Sequence, residues 1–257
     1  MISNLIDSRQ LTFLERKGLL DSVLVVNEVL DVKSKKTSCV FFKVDYKKAY
    51  NSVSWEFLYY MLGRLGFCEK WIKWIKSCLE SSTLFGLVNG SPTTKFYLKR
   101  GLRQGDPLAP FSFLIAAQGL AGVVRKAVEK NLAESLEVGI NKVINMLQYA
   151  NDTLFFCEAN SKSVFNLKVI LHYFELASGL KVNFLKSRIG GVGVDHSAIQ
   201  QFVAILNYEV MKTPFKYLGF LLGGSHNRVS LWDSVLERIK SRLGRWKGRF
   251  LSLTGFV

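Results

Sequence analysis

The hydrophobic pattern divides the chain into helical stretches with apolar stripes and short, nearly continuous apolar runs. In LLDSVLVVNEVLDVKSKK, Leu19, Leu20, Val23, Val26 and Leu30 fall near one stripe and basic residues gather at the end, which predicts a helix. The run from Cys39 to Val44 is β-prone without polar alternation, the pattern of a strand covered on both faces, and it delivers Asp45 at its end. Ser54 is placed to cap a helix from Trp55 to about Leu65, stopped by Gly66. Trp71, Ile72, Ile75, Cys78 and Leu79 mark a second amphipathic helix, and its tryptophan stripe is expected to pack into the core. Asn89-Gly90 between two short strands predicts a hairpin.

Further on, RGLRQGDPLAPFSFLIAAQGLAGVVRKAVEK reads as a glycine-bearing loop entering a long helix, with Asp106 as cap and Pro107 at the first position. NMLQYANDTLFFCE is two apolar runs around a polar turn, a tight hairpin with Ala150, Asn151 and Asp152 at its tip. A helix from about Val164 to Leu176 ends at Gly179, a C′ glycine, and a basic helical tail runs from Trp232 to Trp246. No repeat or low-complexity tract divides the chain.

Composition adds that 257 residues with 49% hydrophobic and 13% aromatic content can bury a large core, which excludes a disordered chain. The charge is more specific. Thirty-five Lys and Arg against 20 Asp and Glu, spread along the whole length, give a positive field suited to a polyanion such as nucleic acid. Cys39, Cys68, Cys78 and Cys157 form no CxxC pair and lie near none of the three histidines, so neither a zinc site nor a disulfide partner is indicated. The N-terminus lacks a signal-peptide pattern and no apolar run approaches the ~18 residues of a membrane span, so no membrane partner is expected.

Against that basic background, Asp45 at a strand end and Asp152 at a hairpin tip are candidates for holding Mg²⁺, which prefers oxygen ligands and leaves positions for substrate phosphates. Two such ions could clamp the attacking and leaving oxygens of a phosphoryl transfer. Taken singly, a turn aspartate also has an ordinary role in turn chemistry. Spacing alone does not bring the two together.

The order of segments carries more. VDYKKAY, RGLRQGDPLAP, QYANDTLFF, SGLKVNFLKS and PFKYLGFLLG resemble, in sequence, motifs A to E of the reverse transcriptase palm. The wording is most similar to LINE-type non-LTR retrotransposons of plants, from about Phe13 to Leu251. The resemblance implies an α+β, right-hand polymerase fold, with fingers to about residue 38, an insertion between motifs A and B, and an incomplete thumb. It divides the chain into a fingers-palm domain at 1–225 and the start of a thumb at 226–257. The implied activity is RNA-directed DNA polymerisation, with an RNA template, a DNA primer and deoxynucleoside triphosphates as partners and two Mg²⁺ as cofactor. An intracellular, nuclear location fits the family. Nothing in the chain resembles the endonuclease of such elements.

Carried over by position, Asp45 is the motif A aspartate that bridges both ions, and Tyr50 the aromatic gate against a 2′-hydroxyl, which argues against RNA-templated RNA synthesis. Gln104 and Gly105 line the incoming nucleotide and template; Arg103 meets phosphate or solvent. Lys181 and Lys186 are alternatives for the motif D lysine that protonates pyrophosphate, and Phe215, Lys216, Tyr217, Leu218 and Gly219 form the primer grip. Motif C departs from the family: Tyr149, Ala150, Asn151, Asp152 stands where Tyr-Ala-Asp-Asp is usual, so one metal-binding carboxylate becomes an amide. Such a loss implies a rate roughly a hundredfold or more lower. Asn51 and Gln118 are two further acid-to-amide departures, and Arg16-Lys17 replaces a usual Gly-Arg. The competing expectation is a non-catalytic nucleic-acid-binding remnant of the same fold.

Overall fold

The computed structural model describes residues 6, 7, 10, 19–36, 38–138, 142–223, 236, 237 and 239–244. Helix α1 (Leu19–Lys36) leads into β1 (Cys39–Val44). Three helices follow, α2 (Ala49–Ser52), α3 (Trp55–Arg64) and α4 (Glu69–Glu80), then the short strands β2 (Thr83–Leu84), β3 (Leu87–Val88), β4 (Ser91–Pro92) and β5 (Phe96–Tyr97). The long α5 (Ala109–Glu129) precedes β6 (Leu136–Val138), β7 (Lys142–Ile144), β8 (Met146–Tyr149) and β9 (Asp152–Glu158). Helix α6 (Ser161–Ser178), β10 (Arg188–Val192), α7 (His196–Leu206), β11 (Glu209–Val210), β12 (Phe215–Tyr217) and β13 (Phe220–Leu222) complete the order.

The main sheet runs β11-β10-β1-β9-β8, with β1 in the centre and antiparallel to both neighbours. That position explains the unbroken apolar run. Val40, Phe42 and Val44 belong to the larger core under α3, α5, α6 and α7, whereas Cys39 and Phe41 belong to a second core under α1 and the β12–β13 hairpin. A strand buried on both faces cannot alternate apolar with polar residues. Phe41 and Phe42 are both fully buried, and truncating either to alanine would cost about 3–5 kcal/mol.

Local signals set the helix ends. The Ser54 hydroxyl accepts from the Phe57 N–H at 3.3 Å, and the Asn160 side chain accepts from the Ser163 N–H at 2.7 Å, so α3 and α6 start where capping residues predict. Helix α5 starts later than expected. The Asp106 carboxylate accepts from the Leu108 N–H at 2.8 Å, forming a turn of its own; the helix opens at Ala109, with Pro110 rather than Pro107 in its first turn. This helix is as long and apolar as a membrane span, and 67% of that stretch is buried inside the protein.

Helix α4 corrects a second expectation. Only Ile75 and Leu79 are buried on it, while Trp71 and Trp74 are 37% and 52% exposed and Cys78 is also exposed. The helix packs one narrow seam against its neighbours, so residues 71, 74 and 78 fall on the adjoining outward stripe. The Asn89-Gly90 turn is as predicted, with φ of 50° and 83° joining β3 to β4. In the expected thumb, residues 236, 237 and 239–244 are helical; Trp232, Trp246, Arg16 and Lys17 lie outside the described residues.

Candidate active site

The register of the central strands brings the two aspartates together. In the β1–β9 pairing Val44 lies opposite Thr153, so Asp45 and Asp152 are the next cross-strand pair. Both side chains project from the face that holds Phe41, Lys43, Leu154 and Phe156, because side chains alternate along a strand. Asp152 opens β9 opposite Tyr149, which leaves a two-residue tip, Ala150 and Asn151, with Ala150 at φ 53°.

The electrostatics follow from this placement. Burial raises the Asp152 carboxyl above the usual carboxylate range; the Lys43 ammonium opposes the rise and the Asp45 charge adds to it. A raised value means that the folded protein holds this proton more tightly than the unfolded chain does. The charged carboxylate therefore costs stability above the folded pKa, and the cost vanishes as pH falls below the ordinary value of 3.8. Asp152→Asn is accordingly expected to raise the Tm at pH 7 in EDTA, with the gain shrinking toward pH 4. A melting series in which the gain is absent, or grows with acid, would contradict the desolvation argument.

The segment after β1 is held from behind by the loop following α6. The Asp45 N–H donates to the Ser187 hydroxyl at 3.1 Å, the Asn183 N–H donates to the Asp45 carbonyl at 2.8 Å, and the Lys47 N–H donates to the Lys181 carbonyl at 2.8 Å. Lys181 and Lys186 are both exposed. The Lys181 backbone braces the Asp45 turn, while the Lys186 N–H donates to the Asn183 carbonyl at 3.1 Å.

Lys48, in the left-handed region at φ 44°, turns the chain into α2, where Tyr50 stacks on Phe113 of α5 with ring centroids 4.7 Å apart and an 18° tilt. The loop before α5 is fastened to the same place. The Leu102 N–H donates to the Tyr50 carbonyl at 2.7 Å, the Gly101 N–H to the Val53 carbonyl at 2.8 Å, and the Trp55 indole N–H to the Gly101 carbonyl at 2.7 Å. A Cβ at Gly101 would lie 2.6 Å from the Asn51 carbonyl oxygen, so glycine is required by the close approach. Beyond this anchor Arg103, Gln104 and Gly105 stand exposed to solvent, available to a ligand.

The last predicted segment forms the β12–β13 hairpin, turned by Leu218 and Gly219 at φ 49° and 89°. Phe215 stacks on Phe41 at 5.0 Å and Tyr217 is fully buried, so these two side chains anchor the hairpin and only Lys216 and the turn are presented outward. The Lys43 ammonium donates to the Lys216 carbonyl at 3.4 Å, tying the hairpin to the acidic pair. The Tyr217 hydroxyl has no hydrogen-bond partner among the described residues; burial, then the negative charge of Asp152, keep it protonated. Sequence reasoning missed Lys43, Ser187, Trp55 and Phe113. Only Lys43 left a signal, as the one charge in an apolar strand.

Asp45 and Asp152 are the two acidic side chains that this end of the sheet would offer to a divalent cation. Among the described residues, no group of three or more His, Cys, Asp or Glu side chains is arranged to hold one. Asn151, at the adjoining tip, carries a neutral amide where aspartate would carry a carboxylate.

Comparison with known proteins fits this geometry. The model of the family "Reverse transcriptase (RNA-dependent DNA polymerase)" matches residues 1–222. The Pol polyprotein of the type-2 retrotransposable element R2DM of Drosophila melanogaster is 27% identical over 178 residues, covering 69% of this chain and 16% of that protein. That of the type-1 element R2 of Popillia japonica is 27% identical over 224 residues, 80% of this chain and 29% of its own length. The chain thus spans less than a third of these relatives, which agree with the non-LTR resemblance of the motifs. Among solved structures, telomerase from Candida tropicalis in complex with a TWJ fragment of telomeric RNA superposes with a TM-score of 0.59 at 13% identity, over 93% of this chain and 38% of that one. The sheet that sets Asp45 beside Asp152 is therefore the palm of a right-hand polymerase fold, and the chain belongs to the reverse transcriptase (RNA-dependent DNA polymerase) family.

Proposed function

We propose that this chain binds an RNA template annealed to a DNA primer and extends the primer with deoxynucleoside triphosphates, slowly, because Asn151 stands at the turn beside the acidic pair. The observation that carries the reading is the cross-strand placement of Asp45 and Asp152 with Asn151 at the adjoining tip. On this reading residues 1–225 are fingers and palm and 226–257 the beginning of a thumb.

The reaction forms a bond from the primer 3′-oxygen to the α-phosphorus as the bond to pyrophosphate breaks. Asp45 and Asp152, with the Asn151 amide oxygen, would hold Mg²⁺, which when bound stabilises charge on the attacking and leaving oxygens. Asp45 is kept in place by its Ser187 and Asn183 hydrogen bonds, so little reorganisation is needed. Tyr50, fixed by its stack on Phe113, walls the sugar pocket against a 2′-hydroxyl. Arg103, Gln104 and Gly105 face the nucleotide and template, Lys181 or Lys186 protonates the leaving pyrophosphate, and Lys216 with the Leu218–Gly219 turn supports the primer end. Aspartate at 151 would add a carboxylate to this set.

The test is primer extension on an RNA template with Mg²⁺, comparing the chain with Asn151→Asp. The variant is expected to extend about a hundredfold faster. Equal rates would show that Asn151 does not impair the chemistry. The second reading, a nucleic-acid-binding remnant, is favoured by the same asparagine and predicts primer-template binding with no extension by either protein. Binding should weaken as salt is raised, as counterion release requires.

A further inference from the structure

The insertion between β1 and α5 carries a surface that the polymerase reading leaves unused. From Glu69 to Leu102 the chain has six basic residues and two acidic ones, a net +4 of the whole chain's formal +15. Its large rings lie outward. Trp71 and Trp74 on α4 meet edge to face with centroids 5.7 Å apart, and Tyr97 on β5 is 65% exposed. In both places an ammonium sits over a ring: Lys70 lies 5.2 Å from the Trp74 centroid and Lys95 lies 6.0 Å from that of Tyr97.

We infer that this face, centred on Trp71, Trp74 and Lys70, binds single-stranded nucleic acid. Exposed tryptophans on a helix usually invite an apolar partner, but here Lys70 lies over the Trp74 ring and Lys73 and Lys76 share the helix, and the complementary ligand pairs flat π-faces with negative charge. Bases stack on the rings and the phosphates between them meet the ammonium groups. The existing lysine–ring contacts are exposed and worth only about 0.5–1 kcal/mol each, so an ammonium can leave its ring for a phosphate at little cost. Duplex nucleic acid does not fit, since its bases are already stacked on one another. Along α4, 12 residues span about 18 Å, room for several nucleotides. Ile75, Cys78 and Leu79 line a cavity with Leu102 and Arg103, so the tryptophan stripe adjoins the base of the loop that carries Gln104. The inference concerns binding alone and stands whether or not the palm catalyses extension.

The experiment is fluorescence anisotropy of the whole chain with a labelled 20-nucleotide single strand, in RNA and DNA arms, and with a blunt duplex of the same sequence. Trp71→Ala/Trp74→Ala is expected to weaken single-strand binding by about tenfold or more in at least one arm while leaving duplex binding within twofold. Trp74→Phe, which keeps a ring, should stay within threefold of the original, and Lys70→Glu should flatten the salt dependence. Because both tryptophans are exposed, an unchanged Tm certifies the fold of the double variant. Undiminished single-strand binding, or an equal loss for duplex, overturns the proposal. So does capture of an uncharged apolar peptide in preference to either strand, which would make the face a protein-docking site.

Discussion

Asp45→Asn introduced into the Asn151→Asp protein is expected to abolish measurable primer extension, a loss of about a thousandfold or more, corresponding to roughly 4 kcal/mol of transition-state stabilisation. The reason lies in the register. Asp45 is the carboxylate contributed by the central strand, directly across from Asp152, and its backbone is fixed on both sides by Ser187 and Asn183. The carboxylate added at 151 in this background lies on the β8–β9 tip and not at the end of the central strand, and no further acidic side chain among the described residues joins the pair. Single-turnover incorporation on a preannealed RNA–DNA hybrid separates this loss from weakened binding. Hybrid affinity should not fall, because Asp45 adds negative charge to a surface that must accept phosphates. A variant that retains a tenth of the rate would remove Asp45 from the centre of the chemistry.

Much of this arrangement is written locally. The unbroken apolar run at 39–44, the Ser54 and Asn160 caps, Gly179 and the Asn89-Gly90 turn each act over a few residues, so the elements they define are legible before any contact is known. The pairing of β1 with β9 is of another kind. It joins residues more than a hundred positions apart, and nothing in either segment states the register that makes Asp45 and Asp152 neighbours. The ordered motifs supplied that link by resemblance. What neither route revealed was how the tryptophans of α4 would face, because an amphipathic stripe of Trp, Ile and Leu looks the same whether the rings point inward or beside the seam. Nor did the motifs show that Phe215 and Tyr217 are consumed by packing, or that Ser187 holds Asp45. Those assignments depend on which side chains three separate segments bring to one face of the sheet.

Gly179→Ala should be the most damaging single-methyl change behind the site, costing about 3–4 kcal/mol and lowering the Tm by on the order of 10 °C. Two effects add. At φ 77° a side chain brings about 1 kcal/mol or more of backbone strain, and the new Cβ would lie 2.4 Å from the Ser52 carbonyl oxygen, a backbone atom that cannot step aside alone. The damage would not stay at the helix end. The Ser54 N–H donates to the Ser178 carbonyl at 2.8 Å, and the residues that follow Gly179 supply the Lys181 carbonyl and the Asn183 and Ser187 contacts that hold the Asp45 turn. Displacing α6 from Ser52 therefore loosens Tyr50 and Asp45 together, and the extension rate of the Asn151→Asp protein should fall even below the new Tm. Gly122→Ala is the control: it lies inside α5, nothing stands within 4 Å of its Cβ, and alanine there should add up to about 1 kcal/mol of helix stability. Paired thermal melts decide the matter. If Gly179→Ala melts within a degree or two of the parent, the helix end is free to shift, and the bracing of Asp45 from this side cannot be rigid.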